Sequence, residues 1–373
     1  MTALDDYLDG FLEEPGYLDY GRVGPLSAAV IAEAQGMNDI LAKARFGSLA
    51  TFEAQEERLH AAVSIATGFP VDQVVTQPNT SMGVIHAMFG LTGDVLLSAG
   101  EFPTLPISAV RAAEALHVVR PVWLETDHGR VTPGQVRDQL TSATEAVAVT
   151  LVDSRTGYVT DIDGIRQVIG DRLLIVDAIQ GFGIIDAPYE AADVVVSGGQ
   201  KWCRAGWGTG FLALSERAID RLTPVISGYS GTGPDEVWDE VPPPAPGARA
   251  FRVTNPDRSA QGRFAAALEE LNEVGASAVQ REVAQNVSDV IEICDEFAVP
   301  VASSRDERER AGLVVLEPPI DQLTLLSASL FNHGVTVTTR AANVRLSVHA
   351  ALHADTLDML RGAFTSYSSA AIY

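Results

Sequence analysis

Short, unbroken apolar runs recur through the first half of the chain, and they restrict the fold more than any other feature. "DQVVTQ", "GDVLLSAG", "HVVRPVWLE", "AVAVTLVD", "DRLLIVDA" and "ADVVVSGG" are rich in valine and show no polar alternation. Strands buried on both faces read this way. Helical patterns such as "SMGVIHAMFGL" and "FPTLPISAVRAAEAL" lie between them. Strand–helix alternation predicts an α/β layered fold with a mostly parallel central sheet. Ligands of such sheets bind beyond the carboxyl ends of the strands.

The pattern changes after the proline cluster Pro242–Pro246. Residues 259–297 read as one long helical stretch, with apolar residues three and four apart. "AGLVVLEPP", "GVTVTTR" and "VRLSVHA" read as strands of a smaller α+β domain. "HADTLDMLRGAFTSY" reads as its closing helix, with His353 or Asp355 near the start. The expected division is a large domain over 18–255 and a small one built from 1–17 and 256–373, joined by the long helix.

Composition excludes several classes. With 373 residues the chain is too long for one small core. Its 49 acidic residues against 26 lysines and arginines give a net charge of -23, the wrong sign for nucleic acid or an anionic membrane. No apolar run approaches the roughly 20 residues that span a bilayer. Two cysteines, Cys203 and Cys294, build neither a disulfide framework nor a Cys-rich metal site. The histidines show no metal spacing, so no metal is expected. The acidic "MTALDDYLDGFLEEPGY" lacks the basic start and apolar stretch of a signal peptide, so a cytoplasmic enzyme is expected.

Three segments carry chemistry. "ADVVVSGGQK" delivers Lys201 from a buried strand end into a glycine-rich turn. A partly desolvated lysine there has a lowered pKa and can form a Schiff base. "DRLLIVDAIQ" ends a neighbouring strand at Asp177. A pyridoxal 5′-phosphate site needs such a carboxylate to hold the pyridine nitrogen protonated. "VVTQPNTSMGV" opens a helix with Asn79, Thr80 and Ser81, whose free N–H groups and hydroxyls suit a phosphate. Taken singly, these segments also read as a surface lysine, a helix cap and ordinary N-capping. "GWGTG" at 206–210 lacks the GxGxxG spacing of a nicotinamide enzyme.

Together the three segments resemble the class V aminotransferase family, pyridoxal 5′-phosphate enzymes of fold type I. That group includes cysteine desulfurases, kynureninase and an ergothioneine-pathway C–S lyase. The resemblance is strongest in "IVDAIQGFGIIDAPYEAADVVVSGGQKWCRAGWGTGFLAL". It implies Lys201 as the cofactor lysine, Asp177 as partner of the ring nitrogen, and Gln180 near the phenolic oxygen. Asn79, Thr80 and Ser81 would hold the phosphate, and Phe102 of "GEFPTLP" would stack on the ring. Asp153 and Ser154 of "VDSRTGYVTDI" would approach ring and substrate. Thr254 and Asn255 of "RVTNPD" resemble the stretch that reaches the partner subunit's cofactor phosphate, implying a homodimer with shared sites. Arg345 of "NVRLSVHA" would grip the carboxylate of an amino-acid substrate, chemistry that suits a guanidinium.

The chain departs from that pattern in two places. Relatives carry a histidine before the lysine and a serine three positions before it; here stand Gln200 and Gly198, with Ser197 one step further back, and the resemblance implies that Ser197 and Gln200 bind the cofactor in their stead. The segment "HGVTVTTRAANVRLS" also lacks the mobile cysteine of a desulfurase. The resemblance implies transamination. Its alternatives are a C–S or C–C β-lyase and a non-catalytic protein of the same fold.

Overall fold

A computed structural model describes residues 2–127, 129–233 and 239–371. Seven strands form the central sheet: β1 (Val74–Thr76), β2 (Gly93–Leu97), β3 (Val119–Trp123), β4 (Thr144–Thr150), β5 (Leu173–Asp177), β6 (Val194–Gly198) and β7 (Gly210–Leu214). Their order is β1-β7-β6-β5-β4-β2-β3. The pairs β2–β3, β2–β4, β4–β5 and β5–β6 are parallel, whereas β7 runs against both β6 and β1. The amino end of β7 therefore joins the carboxyl ends of the other strands on one edge. β4, β5, β6 and β7 are almost wholly buried, as continuous apolar runs require. β3 is an edge strand and half exposed, which its valine content does not reveal.

Period-two alternation sorts the strand side chains into two layers. Ile175, Val194, Val196 and Leu212 pack with Val84 and Met88 of the helix Thr80–Gly90. Val176, Val195 and Phe211 pack with Phe264 and Leu268 of the helix Arg258–Val274 on the opposite face. The single long helix expected over 259–297 is two helices, Arg258–Val274 and Ala276–Glu296. Gly275 separates them at φ +83°, outside the helical range.

A second sheet holds β8 (Leu313–Leu316), β9 (Thr338–Thr339) and β10 (Val344–Ser347), antiparallel in the order β8-β10-β9. The segment near the amino terminus runs beside it. Tyr17 bridges to Thr336 and Asp19 to Ser347. That segment then docks on the turn that carries Lys201: the Gly24 N–H donates to the Gln200 carbonyl at 2.8 Å. A side chain at Gly24 would meet the Lys201 carbonyl oxygen 2.0 Å away, so only glycine permits this approach. Arg204 fastens the same region, donating to the Gly10 carbonyl at 2.9 Å with its guanidinium 3.5 Å above the Phe11 ring. Among the described residues, no helix is long and apolar enough to cross a membrane.

Behind β5 and β6, away from the carboxyl edge, a buried ion network ties sheet to helices. Asp193, 1% exposed, accepts from Arg166 at 2.9 Å, Arg217 at 2.8 Å, Ser215 at 2.9 Å and the Leu174 N–H at 2.9 Å. Removing one partner of such a pair strands the other charge. Asp193→Ala is expected to cost about 3–5 kcal/mol, read as a lowered urea midpoint. Arg217→Ala, which removes the more exposed cation and leaves Arg166 in place, should cost clearly less.

Candidate active site

The carboxyl edge of the sheet gathers the candidate residues. Lys201 follows β6 by three positions and is 9% exposed. Burial lowers its amine to about 8, with Asp177 opposing the shift and Arg345 and Arg340 adding to it. Asp177 ends β5, wholly buried, and pairs in register with Val196 of β6. Burial raises its carboxyl to about 6, against the Ile179 N–H, which donates at 3.1 Å, and the charge of Lys201. Burial thus draws both the acid and the amine on adjacent strand ends towards neutral pH, while the attraction between them opposes each shift. The Phe102 ring centroid lies 5.5 Å from the Lys201 amine, so the ring covers one side of the reactive nitrogen.

The amino end of the helix Thr80–Gly90 opens onto the same edge. Asn79 caps that helix, its side chain accepting from the Met82 N–H at 3.0 Å. The N–H groups of Thr80 and Ser81 precede the intrahelical ladder. Thr80 Oγ1 and Gln200 Oε1 are buried and have no hydrogen-bond partner among the described residues. Both crowd Gly198, where an added Cβ would meet them at 3.0 and 2.5 Å. Glycine at that position is what admits them. Ser81 Oγ, exposed, lies 3.3 Å from Thr104 Oγ1 of the next helix, Thr104–Leu116. Unpaired donors at a helix start, an unpaired hydroxyl and a glycine cradle fit a bound phosphate. With the buried lysine, the buried carboxylate and the covering phenyl ring, the residues present fit pyridoxal 5′-phosphate.

Other expected residues take different places. Ser197 pairs with Phe211 and so faces the opposite layer from Val196 and Asp177. Its buried hydroxyl has no partner among the described residues, and the strand alternation turns it away from the Thr80 face. Gln180 commits its amide elsewhere, donating to the Gly21 carbonyl at 2.9 Å and accepting from the Trp202 indole at 3.3 Å. It ties the amino-terminal segment to the lysine turn. Asp153 caps its own turn: Oδ1 accepts from the Arg155 and Thr156 N–H groups at 2.7 and 2.8 Å. Thr254 stands beside Gly228, its hydroxyl 3.3 Å from Ser230 Oγ.

Arg345, on β10, is 3% exposed and poorly paired for a buried guanidinium. It donates to the Ser154 carbonyl at 3.4 Å and to Thr338 Oγ1 at 3.3 Å; its nearest carboxylate, Asp19, is 4.0 Å away; its Nε has no partner among the described residues. Asp19 is held by Thr338 at 2.5 Å. Such an arginine is poised for an incoming carboxylate.

Two groups escaped the sequence reading. Glu101 precedes Phe102 and is buried, accepting from Thr150 Oγ1 at 2.6 Å and from the Thr150 N–H at 3.3 Å. Burial, reinforced by the charges of Asp153 and Asp177, raises it to about 8. His349 accepts from the Ala350 N–H through Nδ1 at 2.7 Å. Its Nε2 therefore carries the proton and donates to the Trp202 carbonyl at 2.8 Å, binding the small sheet to the lysine turn. Only the adjacency of Glu101 to Phe102 was visible in the sequence.

Fold and site together define a pyridoxal 5′-phosphate enzyme of fold type I, a transferase or lyase. The aminotransferase class-V family profile matches residues 82–369. The chain belongs to that family. It is 26% identical over 292 residues to an uncharacterized aminotransferase, YcbU, of Bacillus subtilis strain 168, covering 71% of this chain and 76% of the relative. It is 26% identical over 295 residues to a kynureninase of Deinococcus radiodurans, covering 75% and 69%. Among solved structures, a cysteine desulfurase from Thermococcus onnurineus NA1 superposes with TM-score 0.85 at 18% identity, covering 95% of both chains. The cystine C–S lyase C-DES, in complex with cysteine persulfide, superposes with TM-score 0.83 at 16% identity, covering 94% and 98%. These structures share the fold.

Proposed function

We propose that the chain performs amino-group transfer on an amino acid at the carboxyl edge of the sheet, through Lys201. The observation that carries this reading is the under-paired, buried Arg345 close enough to Lys201 for its charge to act on the amine, which Asp177 also faces. Bound pyridoxal 5′-phosphate supplies an aldehyde for the substrate amine and a ring that accepts electron density from the α-carbon. Arg345 holds the substrate carboxylate and so orients the α-carbon. The Lys201 amine, lowered to about 8 by burial, takes and returns the α-proton. Asp177 would supply negative charge to the ring nitrogen of the bound group, and Phe102 would pack against its ring. Thr80 and Ser81 would hold the phosphate, and Gln200 would contribute only as a donor through its Nε2 amide.

A second reading, a β-lyase of the kynureninase kind, is favoured by the Deinococcus relative and by Phe102. Persulfide chemistry is not favoured. Cys203 and Cys294 are buried, and burial pushes both thiols up to about 12, so neither supplies a thiolate. Thr254, whose hydrogen-bond neighbour is Ser230 and not a residue of the lysine turn, suits a homodimer in which it serves the partner's site. Two buried free thiols suit a cytoplasmic enzyme.

The readings part on their products. In a transferase, each amino acid gives keto acid in amount equal to the enzyme, without ammonia, and turns over only when a keto-acid acceptor is added. A lyase releases ammonia continuously with no acceptor. We expect the first outcome in an amino-acid panel. Continuous ammonia release without acceptor would shift the assignment to the lyase.

A further inference from the structure

In four arginines among the described residues, Arg45, Arg111, Arg281 and Arg340, the guanidinium makes no hydrogen bond or ion pair. The first three are exposed, as unpaired surface cations usually are; Arg340 alone is half-buried. It belongs to the β9–β10 hairpin, whose turn is closed by its N–H donating to the Asn343 carbonyl at 2.9 Å. Arg345 pairs with Thr338 across that hairpin and bonds its hydroxyl. Arg340 lies two residues beyond Thr338, so alternation sets it on the same side as Arg345.

The nearest candidate for a partner, Asp153, is already occupied. Its oxygens serve the Arg155 and Thr156 N–H groups, the Thr156 hydroxyl and the Arg155 guanidinium. Arg340 is instead close enough to repel both Lys201 and Arg345. A chain of net charge -23 has thus gathered three cations, and the carboxylate that acts on Arg340, Asp153, is already engaged by Arg155 and Thr156. A half-desolvated cation is costly unless an anion meets it. A substrate bearing one carboxylate satisfies Arg345 and leaves Arg340 unmatched.

We propose that Arg340 and Arg345 form a two-anion receptor, and that the substrate is an amino acid with a second anionic group on its side chain. The inference rests on the amino-acid reading above. The shared chemistry is a carboxylate or phosphate at the side-chain end, held by a planar fork of N–H donors.

The test titrates the holoenzyme with L-glutamate, L-aspartate, O-phospho-L-serine and L-alanine, following the cofactor's visible absorbance. Calorimetry with glutarate, succinate and butyrate runs alongside. At least one acidic ligand in each set should bind roughly tenfold tighter than alanine or butyrate, the worth of one charge-assisted contact. Whether glutamate or phosphoserine gains more separates a carboxylate from a phosphate side chain. Arg340→Gln should erase that advantage and leave alanine and butyrate binding within about twofold; Arg345→Gln should weaken all of them. No preference for acidic ligands, or an undiminished preference in Arg340→Gln, overturns the receptor. If alanine and the acidic ligands alike leave the absorbance untouched, the amino-acid reading itself has failed, and the receptor with it.

Discussion

Lys201→Ala is expected to abolish turnover, with a loss of at least roughly 10²–10⁴-fold from the missing proton-transfer group alone. The chain makes assignment of the covalent site simple, because Lys43 and Lys201 are its only lysines. Lys43 sits on the surface, paired with Asp39 at 4.0 Å. Borohydride reduction of the holoenzyme should fix the cofactor to the peptide containing Lys201 and leave Lys43 unlabelled. Labelling at Lys43 would overturn the assignment.

The same residue has a stability signature. Its amine is lowered from 10.5 to about 8 in the fold, so the unfolded chain binds its proton more tightly. The stability this residue permits is therefore full above pH 10.5 and falls as pH drops towards 8. At pH 7 the buried amine costs the apo fold roughly 3 kcal/mol. Lys201→Met should accordingly raise the urea midpoint of the apo protein at pH 7 and lose that gain near pH 10.5. The free amine also sets the pH profile of cofactor uptake. Uptake by apo protein should rise through pH 8 and level off there, where a surface lysine would keep gaining to above pH 10.

Asp177→Asn is expected to lower kcat by on the order of 10²–10³-fold, the scale for removing one preorganised charge partner. The amide keeps the shape and the Ile179 contact but supplies no negative charge to the ring nitrogen. A purely structural role would show mainly in stability. The electrostatic role carries a second readout, because Asp177 opposes the fall in the Lys201 pKa. Without it, the midpoint of cofactor uptake should move below 8. An unchanged midpoint with unchanged kcat would remove Asp177 from the site. Glu101, raised to about 8, stays protonated at pH 7 while Asp177, at about 6, is largely charged. Two buried carboxyls within one electrostatic neighbourhood are thus kept in opposite states, one able to donate and one able to hold charge.

Much of the fold was legible because it follows local rules. Valine-rich runs without alternation gave the buried strands, and Asn79 three residues before Met82 gave the start of the helix that opens on the cleft. Lys201 and Asp177 stood out because each ends such a run. Ser197 was misplaced for a reason the sequence already contained: it alternates with Val196 and so faces the other layer. The helix break at Gly275 was visible only as one glycine in an otherwise continuous pattern, and its positive φ is one that glycine adopts freely. Asp153 followed the simplest rule available, capping the turn it begins.

The sequence by itself determined the strand ends, the helix caps and the residue types placed there, since each depends on neighbours a few positions away. Tertiary structure alone decided which distant groups share the cleft. Asp19 meets Arg345 across 326 positions, and Gly24 seats the lysine turn from near the amino terminus. It also decided their charge states, because desolvation depends on how completely the surrounding layers exclude water. That dependence takes a lysine to about 8, a carboxyl to about 6, and lowers a half-buried arginine, against the charge of Asp153.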